Sequence, residues 1–78
     1  MAVFLIDQWV DARQLDNAGA VRAAADATRG LASGQVAEVI VSDVLAASEI
    51  LAWPESKPLE VLDSMVLQGA CRVILRHR

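Results

Sequence analysis

Cysteine, proline and aromatic residues are all scarce in this chain. It has one cysteine (Cys71) and two prolines, and aromatic residues make up 4% of its length. A single cysteine excludes an internal disulfide, so we expect a fold that stands without one and a protein of the reducing cytoplasm. The opening apolar run stops at Asp7 and has no basic residues before it. We therefore expect neither a signal peptide nor a membrane span.

Basic side chains are outnumbered as well. Seven Lys and Arg face ten Asp and Glu, which gives a formal net charge of −3. A nucleic-acid-binding domain normally presents a basic face to the phosphates, so we expect no nucleic-acid partner. The arginines of the closing stretch "CRVILRHR" are interpreted as a solvated strand end rather than a phosphate site.

Hydrophobic residues, in contrast, are abundant. They make up 55% of the 78 residues, and charged residues only 22%. This composition is typical of a folded domain and not of a disordered segment. The length leaves room for one hydrophobic core, so we expect a single domain over residues 1–78.

The first half of the chain predicts a strand followed by a helix. Residues 2–9 are rich in apolar and β-favouring side chains, which indicates a strand. Asp16 and Asn17 are cap-forming residues that precede a helical pattern, and Gly30 or Gly34 ends it. The apolar positions expected on one face of this helix are Val21, Ala24, Ala25, Thr28 and Leu31.

The second half predicts a strand, a helix and two more strands. Residues 35–43 alternate in polarity as a strand does, and 44–53 form a helix that two prolines end. Residues 59–67 and 70–77 are strands joined by a tight hairpin at Gln68 and Gly69. The residues of the last strand expected to face the helices are Cys71, Val73 and Leu75. The order βαβαββ favours an α+β two-layer sandwich, with both helices on one face of a four-stranded mixed sheet.

Four stretches of the chain resemble one known family. "DARQL" (11–15) is similar to Asp-x-Arg-Gly-Leu, and "LASGQVAEVIVSD" (31–43) to Leu-x-x-Gly-x-x-Leu-x-Val-x-x-x-Asp. "EILAW" (49–53) is similar to Asp-Ile-x-x-Phe/Trp, and "CRVILRHR" (71–78) to Tyr-Arg-Phe-x-Ile-x-Lys. These motifs, in this order, resemble the TusA/SirA-like sulfur-carrier proteins. The resemblance implies a βαβαββ sandwich like the C-terminal domain of translation initiation factor three.

The departures from that family fall where its chemistry lies. The family's Leu-x-Cys-Pro-x-Pro reads Leu-Asp-Asn-Ala-Gly-Ala here (15–20), so Asn17 stands where the resemblance implies the persulfide-carrying cysteine. The Gly-His-Glu after the second helix reads Pro58-Leu59-Glu60. Asparagine can cap a helix but cannot form a persulfide. We therefore expect a non-catalytic protein-binding or regulatory subunit that works with a sulfurtransferase or redox partner.

Two alternatives stay open at this stage. The chain is a working sulfur carrier if Cys71 serves as the nucleophile, although a cysteine that faces the helices is usually an inert small hydrophobe. It is a structural homodimer if Val36, Ile40 and Ile74 on the uncovered sheet face pair two copies.

The residues predicted to bind a partner cluster around the altered turn. They are Trp9, Arg13, Asp16, Asn17 and Gly19. Core packing is the favoured interpretation of Trp9, with a role as partner anchor the alternative, and Trp53 is expected in the core.

Other chemistries find little support in the sequence. Asp7, Asp11 and Asp16 mark a strand end and a turn and do not form a general acid–base pair. Cys71 and His77 supply too few ligands for a structural zinc site, so we expect neither a metal nor a cofactor.

Overall fold

The computed structural model describes residues 4–78 and confirms the predicted architecture. Four strands and two helices follow the order βαβαββ, and the sheet is mixed, with strand order β1-β2-β4-β3. Strand β1 runs parallel to β2, and β4 lies antiparallel to both β2 and β3. The bounds are β1 Gln8–Asp11, α1 Asn17–Arg29, β2 Val36–Val41, α2 Val44–Leu51, β3 Leu59–Leu67 and β4 Ala70–His77.

The first strand is shorter at its start than the sequence predicted. Residues 2 and 3 of the expected strand lie outside the described residues, and pairing begins at Gln8. Asp7 explains this start, because its N–H donates to Val36 O and its Oδ2 accepts from Val36 N, both at 2.8 Å. The side chain thus takes the place of a backbone acceptor where β2 begins.

The helices form one layer over one face of the sheet. On α1, Ala24 and Thr28 are buried, as the helical pattern indicated, and so is Ala20, which the pattern did not include. Val21 and Ala25 are half-buried and pack against the core. The Thr28 hydroxyl is satisfied by donating to the carbonyls of Ala24 and Ala25 at 3.0 and 3.1 Å. Small side chains on this face let α1 lie close to the sheet.

The end of α1 differs in detail from the glycine stop that was predicted. Gly30 is the C-cap, but its φ of −82° is right-handed, so any residue can adopt it. Gly34 has the left-handed φ of +85°, in the turn that leads into β2. The position that requires glycine is therefore Gly34, just before β2, and not the end of α1.

Helix α2 is shorter than predicted and is followed by a 3₁₀ turn at Trp53–Glu55 that contains Pro54. Trp53 is buried in the core, as expected. The largest completely buried side chains are Ile50, Leu75, Val39, Val41 and Val73. The core therefore lies between the two helices and the central strands β2 and β4.

The uncovered face of the sheet exposes less apolar surface than a homodimer through Val36, Ile40 and Ile74 would need. Val36 and Ile74 are buried and Ile40 is half-buried, so these three residues offer little surface to a second copy. Ion pairs lie on the same face, between Arg72 and Glu38 at 3.4 Å and between Arg76 and Glu60. The long side chains of these pairs lie over the apolar residues between them.

Candidate functional site

The turn between β1 and α1 is held by an ion pair. The Arg13 side chain donates two hydrogen bonds to the Asp11 carboxylate, from Nε to Oδ1 at 2.8 Å and from Nη2 to Oδ2 at 2.7 Å. The Arg13 backbone N–H also donates to Oδ1, at 3.2 Å. These bonds, the side-chain ones first, lower the pKa of Asp11 from 3.8 to about 2. The pair is exposed, and it fixes the direction in which the chain leaves the strand.

Helix α1 is capped by Asp16 and not by Asn17. The Asp16 side chain accepts a hydrogen bond from Gly19 N at 2.7 Å, and Asp16 O accepts from Ala20 N at 2.8 Å. Asn17 is the first helical residue and is half-buried. The sequence predicted cap-forming residues at both Asp16 and Asn17; Asp16 is confirmed as the N-cap, and the capping role expected of Asn17 is wrong. The physical reason is that Asp16 has the extended conformation (ψ 174°) that an N-cap needs, whereas Asn17 is already helical.

Gly19 belongs to the capping arrangement. A Cβ added there would lie 2.9 Å from Asp16 Oδ1 and 3.4 Å from Leu15 Cβ. Any side chain at this position would displace the capping carboxylate. Asp16 and Gly19 are therefore a coupled pair, and the N-terminus of α1 already has an anionic group bound to it.

Trp9 is exposed, which corrects the expectation that it packs in the core. Its position in β1 directs the side chain to the uncovered face of the sheet, where it is paired in register with Glu38, and 67% of it is accessible. Asp11 points to the same face two residues further along. The predicted partner-binding residues follow one another along the edge strand and the turn: Trp9, Arg13, Asp16, Asn17 and Gly19. Together with Asp11 they form what we call the β1 strip.

Cys71 lies where the alternation predicted, on the helix-facing side of β4. It is paired in register with Val41 on one side and with Val66 on the other, and only 9% of it is exposed. Its thiol lines the floor of a groove of about 110 Å³ between α2 and strands β3 and β4. A donor must therefore enter this groove, or the groove must open, before the sulfur can react.

The closing arginines do not form a free basic patch. Arg72 and Arg76 point away from the helices, as predicted, and each has an acidic partner across the sheet. Within residues 4–78, no group of three or more His, Cys, Asp or Glu is arranged to hold a metal ion. Over the same residues, no helix is both long and apolar enough to cross a membrane.

One surface was missed by the sequence interpretation. Strand β3 ends in three consecutive exposed apolar residues, Met65, Val66 and Leu67, and α2 exposes Val44 and Leu51 across a groove that Met65 and Val66 also line. The signal was present in the sequence, because a two-faced strand should alternate and "MVL" does not.

No family model, curated protein or solved structure was found to match this chain.

Proposed function

We propose that the chain is a non-catalytic protein-binding domain that resembles the sulfur carriers in layout and lacks their thiol. Its partner is a sulfurtransferase or a thiol-redox protein, and it binds through the β1 strip. The observation that carries the proposal is the composition of the α1 N-terminus. Asp16 and Asn17 occupy it with a carboxylate and a neutral amide, and neither group can accept a sulfur atom.

The electrostatics of this helix end support the same proposal. A reactive thiolate at a helix start is stabilised by the free N–H groups and by the helix dipole. Here the Gly19 N–H is already donated to Asp16, and the negative charge of that carboxylate would oppose a second anion beside it. The site therefore favours hydrogen bonding to a partner over the storage of anionic sulfur.

The β1 strip has the features of a small docking surface. Trp9 supplies a large, rigid apolar side chain, and aromatic anchors of this kind carry much of the energy of protein interfaces. The Asp11–Arg13 pair beside it adds oriented polar groups at the rim. An exposed tryptophan has no stabilising role in the core, so binding is the function that accounts for it best.

The binding test compares two matched variants. Trp9→Ala and Leu45→Ala each remove an exposed apolar side chain, 67% and 68% accessible, and only Trp9 belongs to the β1 strip. Each variant is titrated calorimetrically against the purified sulfurtransferases and thiol-redox proteins of the same cell. We expect Trp9→Ala to weaken the complex at least tenfold and Leu45→Ala to leave it unchanged. Equal affinities for both variants, or no binding to any of these proteins, would contradict the proposal.

The chemical test uses the natural chain and Cys71→Ser. After incubation with a persulfide donor, intact mass should show no added sulfur on either protein. An added sulfur atom on the natural chain that is lost in Cys71→Ser would instead identify a carrier that works through Cys71.

A further inference from the structure

The groove between α2 and β3 is an apolar surface without a covering element. Helix α2 packs on β2 and β4, and the 3₁₀ turn contacts β3 near its start. The last part of β3 is left uncovered, and 82% of Val66 is exposed there. The large apolar residues that line this groove are Val44, Leu51, Met65 and Val66, and exposed Leu67 follows them at the end of the strand. Val66 is paired with Cys71 and faces the helices, whereas Met65 and Leu67 are paired with Arg72 and Ala70 and direct their side chains to the uncovered face. Together with the uncharged Ser48 and Ser64, these five apolar residues form what we call the β3 surface.

Strand β3 is also an edge of the sheet. It is the last strand in the order β1-β2-β4-β3, so the backbone groups on its outer side have no strand partner in the described chain. A bulge between Val61 and Asp63 interrupts the first half of this edge. The second half, Ser64–Leu67, has no bulge, charge or proline, which are the usual devices that keep edge strands from pairing.

We infer that this half of β3 pairs antiparallel with β3 of a second copy of the chain. A two-fold axis at Val66 places Val66 opposite Val66 of the second copy and Met65 opposite Leu67 of the second copy. Every large apolar residue of the segment then meets another one. Asp63 falls opposite Gly69 of the second copy, so the two carboxylates stay apart and no like charges meet.

The same axis brings the two helix layers together. Because it runs perpendicular to the sheet, both copies keep their helices on the same side, and the paired Val66 residues lie on that side next to the grooves that Val44 and Leu51 line. The edge segment Ser64–Leu67 carries no charge, and Arg72 beside it is paired with Glu38, so no unpaired charge on this edge selects a charged partner. The self-complementarity therefore favours a second copy as the occupant.

The size of the surface sets the expected strength. The five side chains at these exposures present roughly 400 Å² of apolar area, divided between the two faces of the β3 edge. With the strand backbone, two copies would bury about 1,000 Å², which corresponds to a weak and reversible dimer. We therefore expect a dissociation constant in the micromolar range. This inference concerns a different surface from the β1 strip and stands independently of the proposed function.

The test is sedimentation equilibrium of the full chain across micromolar to millimolar concentrations. Val66→Lys places a charge on the two-fold axis, and Leu45→Lys places one on the exposed side of α2 away from the groove; both side chains are exposed enough that folding should survive. Far-UV circular dichroism checks the fold of each variant. We expect a reversible monomer–dimer equilibrium for the natural chain and for Leu45→Lys, with dimerisation weakened at least tenfold in Val66→Lys.

Hydrogen exchange gives a second measurement that does not depend on variants. The amides of residues 64–68 should exchange more slowly as the concentration of the natural chain rises, and those of β1 should not change. A natural chain that is monomeric at every concentration would overturn the inference, whatever other protein it binds. A dimer that Val66→Lys does not weaken, or an open-ended series of larger species, would overturn it as well.

Discussion

The cap at the start of α1 gives the sharpest stability experiment, because the structure assigns it to one of two neighbouring residues. Asp16→Ala removes the 2.7 Å hydrogen bond to Gly19 N and should lower the free energy of unfolding by about 1 kcal/mol. For a domain of this length that loss corresponds to a melting temperature lower by about 4–8 °C. Asn17→Ala removes no capping bond and should change stability by less than about 0.5 kcal/mol.

A substitution at Gly19 allows the energetic coupling between Gly19 and the Asp16 cap to be measured. Gly19→Ala gains about 1 kcal/mol of helix propensity, but its Cβ would lie 2.9 Å from Asp16 Oδ1 and displace the cap. The gain and the loss should nearly cancel in the natural chain. When Asp16→Ala is already present, no cap remains to be displaced, and Gly19→Ala should then stabilise by about 1 kcal/mol. The double-mutant cycle should therefore show a coupling of about 1 kcal/mol.

Urea unfolding followed by far-UV circular dichroism measures all four proteins of the cycle. A larger loss for Asn17→Ala than for Asp16→Ala would show that the cap was assigned to the wrong residue. A Gly19→Ala gain that is equal in both backgrounds would show that Asp16 and Gly19 do not contact each other.

Three further outcomes are expected. The carboxyl of Asp11, followed by NMR, should titrate near pH 2, and Arg13→Ala should return its pKa toward 3.8. Because the folded-state pKa is lowered, the stabilisation from this pair is present above pH 4 and is lost as the pH falls toward 2. Iodide should quench the fluorescence of exposed Trp9 in the folded chain, and that of buried Trp53 only after unfolding; equal quenching of both in the folded chain would contradict the fold. Ile50→Ala should lower the free energy of unfolding by about 3 kcal/mol in urea titrations, because Ile50 is completely buried; a loss below about 1 kcal/mol would place it outside the core.

The fold was predictable because the local signals agree with one another. The alternation of Ala37, Val39 and Val41 gave the buried face of β2, and the helical spacing of Ala24 and Thr28 gave that of α1. These periods follow directly from backbone geometry. Both were confirmed.

The errors arose where a tertiary contact decides the outcome. Trp9 was predicted to lie in the core because tryptophan is a large apolar residue, but its pairing with Glu38 places its side chain on the uncovered face. The pairing of Asp7 with Val36 sets the start of β1, and no local pattern shows a partner 29 residues away. The choice between Asp16 and Asn17 as cap depends on backbone angles that either residue can adopt.

The site was predictable only in part for a related reason. The sequence located the turn between β1 and α1, because the residues that mark it, Asp11 and Asp16, are recognised by type. The non-alternating "MVL" signals an exposed apolar segment, but the sequence does not show that Val66 is the residue left uncovered, because that depends on how far α2 extends over β3.

The proposal that Asp16 and Asn17 together deny this helix end a reactive thiolate can be tested by replacing both residues. The background for the test is Cys71→Ser with Asp16→Ala, which removes the carboxylate that would oppose a thiolate. In that background Asn17→Cys places a thiol at the first residue of α1, and Ala52→Cys places an exposed one at the C-terminal end of α2, where the helix dipole is reversed. Both are treated with a persulfide donor, and the rate at which one sulfur atom is added is read by intact mass. In this step the thiolate attacks the donor's outer sulfur, a new S–S bond forms, and the donor leaves as a thiolate. We expect Asn17→Cys to accept sulfur faster than Ala52→Cys and the natural chain to accept none. Transferable sulfur on the natural chain, or an Asn17→Cys thiol no more reactive than the Ala52→Cys thiol, would contradict the proposal.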